Sequence, residues 1–348
     1  MISKAGGSPS ALSFPDSRKV FETGTDPAAD PLLGDTDPLF MVLNAGSGHG
    51  DAQLAERAIR DALQSARRRY ELMIVTDPSA LPETAARAAA LSEEHRGAVI
   101  AAGGDGTINT VLQATYRTGR PFGVIPQGTF NYFGRTHGIP EDPAAATRAL
   151  LDAVIQPIQF GLVNDRVFLV NASLGLYPEL LERREQDTQK FGRSRLVAWW
   201  SGLATLLREH RQLIIDIEHK DHASSAGGTV RTTTLFAGNN ALQLQSIGIA
   251  EADVVEHGEL AAIVLRRVGL LGMLGIALRG AMGQLGDSDD VRSFGFTQMT
   301  VRPWIRYGRR RIKVATDGEV TALETPLVFR VSPAPLPLLV PRRRGEVA

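Results

Sequence analysis

The chain has no cysteine among its 348 residues, which excludes structural disulfides and cysteine-ligated zinc or iron–sulfur centres and is compatible with a reducing compartment. It has no excess of charge either, since 38 Lys and Arg balance 38 Asp and Glu. That balance argues against a nucleic-acid binder relying on bulk positive potential. Long apolar runs are missing. The stretch from Val268 to Leu278 is cut by Arg279, well short of the roughly 20 residues a membrane-spanning helix needs. The N-terminus lacks an apolar signal core. Seven histidines are scattered without metal-site spacing and read as surface or loop residues. No serine has a nucleophile-elbow context, so a hydrolase triad is not supported.

What is present suits two domains: a 43% hydrophobic content that supports sizeable cores, in a chain too long for one ordinary domain. Residues 1–38 stand apart. They are rich in Gly, Pro and Ser, with six acidic residues against three basic ones, and read as a flexible, solvated extension. From Leu39 to about Leu150, short β-rich runs alternate with helical patterns. Strands are expected at Leu39–Leu43, Leu72–Val75, Ala98–Ala102 and Phe122–Ile125, and Asp142-Pro143 opens a further helix. This alternation predicts a mostly parallel sheet with helices on both faces, an α/β domain over residues 39–153. Beyond it, short β-like segments separated by Gly, Asn and Asp turns predict an antiparallel β-sandwich over 154–333, with helices near 194–209 and 268–285. No internal repeat is visible.

The strongest motif is Gly103-Gly104-Asp105-Gly106-Thr107, between a buried strand and a helix. Three glycines there let backbone N–H groups approach a polyphosphate, and the helix dipole favours the anion. A carboxylate inside such a cradle is repulsive unless a cation intervenes, so Asp105 points to Mg²⁺; the bland reading is a tight turn with an Asp cap. Pro126-Gln127-Gly128-Thr129-Phe130-Asn131 also follows a strand. There Gly128 allows close approach, Thr129 supplies a hydroxyl and Asn131 a neutral amide, although alone this reads equally as a capped loop. Asn44, Ser47 and Gly48 form a third, weaker candidate phosphate turn. Asp317-Gly318 reads as a hairpin turn between Ile312–Ala315 and Val320–Leu323.

Together these loops resemble the diacylglycerol kinase catalytic family, which includes soluble bacterial diacylglycerol kinases, bacterial lipid kinases and sphingosine and ceramide kinases. Gly-Gly-Asp-Gly-Thr at 103–107 and Pro-x-Gly-Thr-x-Asn at 126–131 match its two nucleotide-site motifs at the usual spacing. The first is shared with NAD kinases; the second discriminates for lipid kinases. The resemblance spans about residues 39–341. It implies a nucleotide cleft between an α/β half and a β-sandwich half, and a terminal strand within residues 334–348 returning to the first domain ahead of a basic tail. It also implies that Asp317 is the general base. Two departures stand out: Gly134 where the family usually has Ala, a small change, and His257 where many members have an Asp that supports a second, structural Mg²⁺.

Arg302 through Lys313 holds six basic residues and no acid, and Arg183, Arg184, Lys190, Arg193 and Arg195 precede the run containing Trp199 and Trp200. Basic residues beside tryptophans suit an anionic membrane surface; the alternative is a charged, solvated face beside core tryptophans. The resulting expectation is a cytoplasmic lipid kinase, peripheral at a membrane and compatible with a homodimer, serving phospholipid metabolism. It would use ATP or another NTP with Mg²⁺ and phosphorylate a lipid hydroxyl such as that of diacylglycerol or a sphingoid base. Gly103, Gly104, Gly106 and Thr107 cradle phosphates in this reading, with Asn44, Ser47, Gly128, Thr129 and Asn131 nearby. Asp105 orients the metal and Asp317 takes the proton. The alternatives are an NAD kinase and an inactive nucleotide-binding regulator.

Overall fold

The computed structural model describes residues 36–46, 52–128, 131–175, 213–221, 225–266, 290–304 and 311–342, with the single positions 34, 178, 279, 284 and 286. Several expectations lie outside the described residues: most of the 1–38 extension, Ser47, Thr129, the segment 194–209 with Trp199 and Trp200, and nearly all of 268–285.

Strand β1 (Leu39–Asn44) is apolar except at its last residue and buried along its whole length, as is β3 (Ala98–Gly103). Strands hidden on both faces belong inside a parallel sheet covered by helices. The covering helices show the matching stripes. In α1 (Ala52–Ser65) the buried positions Ala55, Ile59 and Leu63 recur every four residues, and α2 (Leu81–Glu94) turns Leu81, Ala85, Ala88 and Ala89 inward. Pro82 falls in the first turn of α2, where its missing N–H costs nothing. The series continues through β2 (Tyr70–Val75), α3 (Asp105–Thr115), β4 (Phe122–Pro126), the short α4 (Tyr132–Thr136) and α5 (Pro143–Leu151). Asp142 caps α5, its Oδ1 accepting from the Ala145 N–H at 2.8 Å.

β1 pairs in parallel with β2 on one side and β3 on the other, and β4 follows β3. Right-handed crossovers then place α1 on one face and α2 and α3 on the other; α1 packs against α5 and α2 against α3. Two more strands complete this sheet. β5 (Ala153–Ile158) lies at its edge, and the last described strand, β17 (Leu336–Pro341), enters between β4 and β5. The sequence reading placed residues 154–333 in the β-rich half. β5 instead belongs to the first sheet, and Pro157, which lacks an N–H, sits where an unpaired edge tolerates it.

The other strands form one continuous antiparallel sheet: β6 (Gly161–Val163), β7 (Arg166–Phe168), β8 (Asn171–Gly175), β9 (Leu213–Lys220), β10 (Ser225–Gly238), β11 (Leu260–Arg266), β12 (Val291–Phe296), β13 (Gln298–Pro303), β14 (Arg311–Thr316), β15 (Glu319–Glu324) and β16 (Leu327–Val331). It wraps around a shared core that includes Phe168, Leu174, Leu235, Phe296, Met299 and Phe329. Each such side chain removed from water contributes about 1.5–3 kcal/mol. A bulge at Thr232–Thr234 splits the long β10. Its first part pairs with β9, its second with both β8 and β11. Over the outer face of that second part lies a smaller cluster of Leu244, from α6 (Ala241–Ser246), with Ile249, Ala252, Ala261 and Ile263.

Candidate active site

Sheet growth reverses between β1 and β3, so the loops at their carboxyl ends diverge and leave a crevice, the usual ligand position in such sheets. Asn44 ends β1, Gly103 ends β3 and Pro126 ends β4, which brings the motifs read from sequence to one edge. The Gln127 N–H donates to the Gly103 carbonyl at 2.8 Å and joins the two glycine-rich loops. Helix α3 begins at Asp105, inside the glycine-rich motif, and Gly104 at its N-cap offers no side-chain cap. The first amides of the helix are thereby left for a ligand.

The glycines there are spacers. A methyl on Gly103 would lie 2.7 Å from the Thr107 side chain, and one on Gly106 would lie 2.4 Å from Glu319 Oε1. One on Gly128 would fit at ordinary contact, 3.4 Å from Gly104 Cα and 3.7 Å from both the Asp105 nitrogen and Oδ2. The two loops therefore touch at Gly104 and Gly128, and a side chain at 128 would stand over the Asp105 amide. Thr107 and Asn44, expected beside the phosphates, are buried and bonded together, Asn44 Nδ2 donating to Thr107 Oγ1 at 2.9 Å. Asn44 Oδ1 accepts the Gly46 N–H at 3.0 Å. Their geometry fixes the loops to each other. Asn131 takes a left-handed backbone (φ 42°) and is buried, with neither amide atom hydrogen-bonded among the described residues. A Cβ on Gly134 would meet Asn131 Oδ1 at 2.4 Å. Glycine at 134 is thus more than the small change that sequence suggests, because this amide occupies the space an alanine would fill.

The β-rich half contributes Asp317. With Gly318 it forms the two-residue turn between β14 and β15, both residues at positive φ (49° and 93°), as a type I′ turn requires. Its carboxylate closes a ring of donors. Oδ2 accepts from Leu169 N at 2.7 Å and Asn109 Nδ2 at 2.8 Å; Oδ1 accepts from Val170 N at 2.8 Å and Asn171 N at 2.9 Å. Asn109 belongs to α3 and also donates to the Val167 carbonyl at 2.9 Å, so one side chain ties the two halves at the site. Burial pushes both Asp317 and Asp105 above the usual carboxylate range, and the charge of Asp317 pushes Asp105 further. At Asp317 the four hydrogen bonds oppose that rise.

Asn109, Asn171 and the seat of Glu319 against Gly106 are absent from the sequence reading. Asn109 follows Asp105 by four residues in a helix, so it shares a face with it, a signal available before the fold. Asn171 gave none, being polar in an ordinary strand. His257 ends a 3₁₀ segment, its Nδ1 2.8 Å from the Asp253 carbonyl. Arg311 and Lys313 of the basic run are exposed on β14, while 305–310 lie outside the described residues. No described helix is long and apolar enough to cross a membrane.

Residues 38–163 match the family model of the diacylglycerol kinase catalytic domain. Over 99 residues, 28% of this chain and 32% of the relative, the sequence is 46% identical to the diacylglycerol kinase of Bacillus subtilis. Over 95 residues, 26% and 31% respectively, it is 41% identical to a Pseudomonas aeruginosa protein named "Probable lipid kinase YegS-like". An uncharacterised Synechocystis protein is 30% identical over 175 residues, 47% of this chain. The chain thus spans between 31% and 39% of the length of these relatives. In fold, a Bacillus anthracis diacylglycerol kinase crystal structure matches with a TM-score of 0.61 at 16% identity, covering 89% of this chain and 98% of that one. The resemblance read from the two glycine-rich motifs is borne out, and residues 38–163 are similar to the diacylglycerol kinase catalytic domain.

Proposed function

We propose that this chain is a lipid kinase that transfers the γ-phosphate of ATP to a lipid hydroxyl, yielding a lipid phosphate and ADP. One observation carries the reading: the two glycine-rich loops and the Asp317 hairpin converge from opposite halves of the molecule, tied at the seam by Asn109. Phosphoryl transfer needs positioning and charge stabilisation more than covalent help. The uncapped amides at the start of α3, left uncovered by Gly128 beside them, suit the polyphosphate. The acceptor oxygen forms a bond to the γ-phosphorus as the bond to the β-phosphate oxygen breaks, and its proton passes to Asp317. A carboxylate pushed upward by burial is a better base than an exposed one. To take the proton it gives up one of its four hydrogen bonds. Asn109 supplies the one side-chain donor among them and can turn away.

The donors here fit Mg²⁺. Among the described residues no three His, Asp or Glu side chains cluster as a protein cage, and this ion is usually held by one or two carboxylates together with substrate phosphates. Asp105 would hold it, with the Glu319 carboxylate seated next to Gly106. When bound, the ion neutralises charge on the phosphates. The exposed cations Arg311 and Lys313, with the basic run they flank, support peripheral contact of a cytoplasmic enzyme with an anionic membrane.

The test is transfer of labelled γ-phosphate from ATP to a mixed lipid extract with and without Mg²⁺, with NAD in a parallel tube and Asp317→Asn as control. Label in the lipid phase that disappears with the variant supports the reading. Label on NAD would move the chain to the NAD kinases, and ATP binding without transfer to either would make it a regulator.

A further inference from the structure

Three buried polar side chains of the β-rich half lack a full set of partners. On β8, Asn171 is 6% exposed and Ser173 0%; at the β10 bulge Thr233 is 4% exposed. Ser173 Oγ, Thr233 Oγ1 and Asn171 Oδ1 have no hydrogen-bond partner among the described residues. A buried hydroxyl left unpaired is a standing cost to folding and calls for an explanation. Alternation along β8 puts Ala172 and Leu174 into the core and places Asn171 and Ser173 together on the opposite face. This pair begins at the reaction centre, because the Asn171 N–H holds Asp317 Oδ1 at 2.9 Å and its own carbonyl accepts the Asp317 N–H at 2.9 Å. Asn171 Nδ2 is fixed by Gln243 of α6 at 3.1 Å, which leaves its Oδ1 as the free acceptor. Ser173 comes two residues further on, roughly 7 Å along the strand. Its cross-strand neighbours are Phe236 on one side and Ala315 on the other, neither of which can bond its hydroxyl.

We infer that Asn171 and Ser173 form the head-group subsite for the acceptor, and that Ser173 donates its hydroxyl proton to a carbonyl a few atoms from the hydroxyl being phosphorylated. The inference rests on the lipid-kinase reading and narrows it. The acceptor is an acylated lipid, with an ester or amide carbonyl next to the reacting hydroxyl, and not a free sphingoid base or a simple long-chain alcohol. Asn171 Oδ1 accepts a proton from the head, Ser173 donates to the carbonyl, and Phe236 with Ala315 flanks the start of the apolar chain. Donor arithmetic calls for an acceptor oxygen on the lipid, and an ester or amide carbonyl is the strongest such acceptor a neutral lipid head offers. Described neighbours leave Asn171 Oδ1 open to a donor, and Ser173 has a proton to give.

The experiment measures kcat/KM for four acceptors in mixed micelles: a diacylglycerol, its dialkyl ether analogue without carbonyls, a ceramide and a sphingoid base, each with wild type and Ser173→Ala. Wild type is expected to prefer the carbonyl-bearing member of whichever pair it uses by about tenfold, the worth of one hydrogen bond to a group otherwise left unpaired. Ser173→Ala should lower kcat/KM on that member about tenfold while sparing the carbonyl-free analogue, so that the preference disappears. KM for ATP should stay unchanged and the thermal midpoint should hold or rise, since the variant removes an unpaired buried hydroxyl. The proposal is overturned if Ser173→Ala leaves the preferred acceptor unaffected, or lowers both members of the pair equally. Diacylglycerol or ceramide as the preferred acceptor distinguishes the ester from the amide source of the carbonyl, and either agrees with the subsite. A wild-type enzyme active on none of the four, while transferring phosphate to NAD or to nothing, would bring down the lipid-kinase reading itself, an outcome distinct from a lipid kinase indifferent to Ser173.

Discussion

The two halves place function in different parts of their architecture. In the parallel-sheet half, the candidate site is made from loops at strand ends, built mainly from backbone amides and missing side chains: an uncapped helix start, an amide left uncovered by Gly128, a close approach allowed by Gly106. In the antiparallel half it is made from a hairpin tip and from side chains on a strand face, Asp317 beside Asn171 and Ser173. The first arrangement draws on few side chains, Asp105 and the Asn44–Thr107 pair among them, and is sensitive to added atoms. The second depends on particular polar groups and on the register that aligns them.

The contrast is broken most severely at the hairpin. Asp317→Asn keeps the turn but replaces two accepting oxygens with one and points an N–H₂ group at backbone donors. As the proposed proton acceptor, its loss should lower kcat/KM for the lipid by a factor of about 10²–10⁴, with stability lower by roughly 1–3 kcal/mol for the donors left unpaired. Steady-state kinetics beside a denaturant melt measures both. Turnover near wild type in a folded variant would remove the proton-acceptor role.

On the other side of the comparison, Gly128→Ala should act through space alone. Its methyl fits at ordinary contact distances, so the melting temperature should hardly change, whereas ATP affinity measured by calorimetry should fall about tenfold as the methyl covers the Asp105 amide. Unchanged affinity would mean that the polyphosphate does not use that amide. The seam between the halves comes next. Asn109→Ala removes the bonds to Asp317 and to the Val167 carbonyl, and should cost roughly 2 kcal/mol. It also takes a donor from the carboxylate, so Asp317 should titrate higher and the acid limb of the kcat/KM profile should move to higher pH. A loss of stability with an unmoved limb would separate the structural tie from the chemistry.

How much of this was legible in sequence follows the same division. The α/β half announces itself because its function is contiguous: Gly103–Thr107 and Pro126–Asn131 are short words at strand ends, and the strands before them are apolar enough to be read as buried. The Asp317-Gly318 turn was legible as a turn, since few residue pairs take positive φ twice in succession. Its carboxylate's donors were not, because residues 169–171 and Asn109 are brought to it only by the antiparallel register and by the docking of α3. Ser173 was least legible. A serine in a short strand means nothing until both neighbouring strands prove to offer it only Phe236 and Ala315. β5 fell on the wrong side of the domain boundary read at residue 153, because local pattern does not record which sheet a strand joins.

The smallest expected effect concerns the stem of the second motif. His137 follows α4 directly, its ring packed against Phe133 at 4.8 Å, and burial pulls its pKa down from 6.5 to about 4. The fold therefore holds this ring neutral and takes up fewer protons than the unfolded chain between those two values. Stability from this source is fully present above pH 6.5 and is lost as pH falls towards 4. Because the ring is only partly shielded, the loss should be roughly 1 kcal/mol. In His137→Leu, thermal melts between pH 7 and pH 4.5 should fall less steeply than in wild type, and the ATP affinity of the neighbouring loop should lose some of its acid sensitivity. If the variant and wild type lose stability in parallel, the acid sensitivity resides in the carboxylates of the seam and not in this ring.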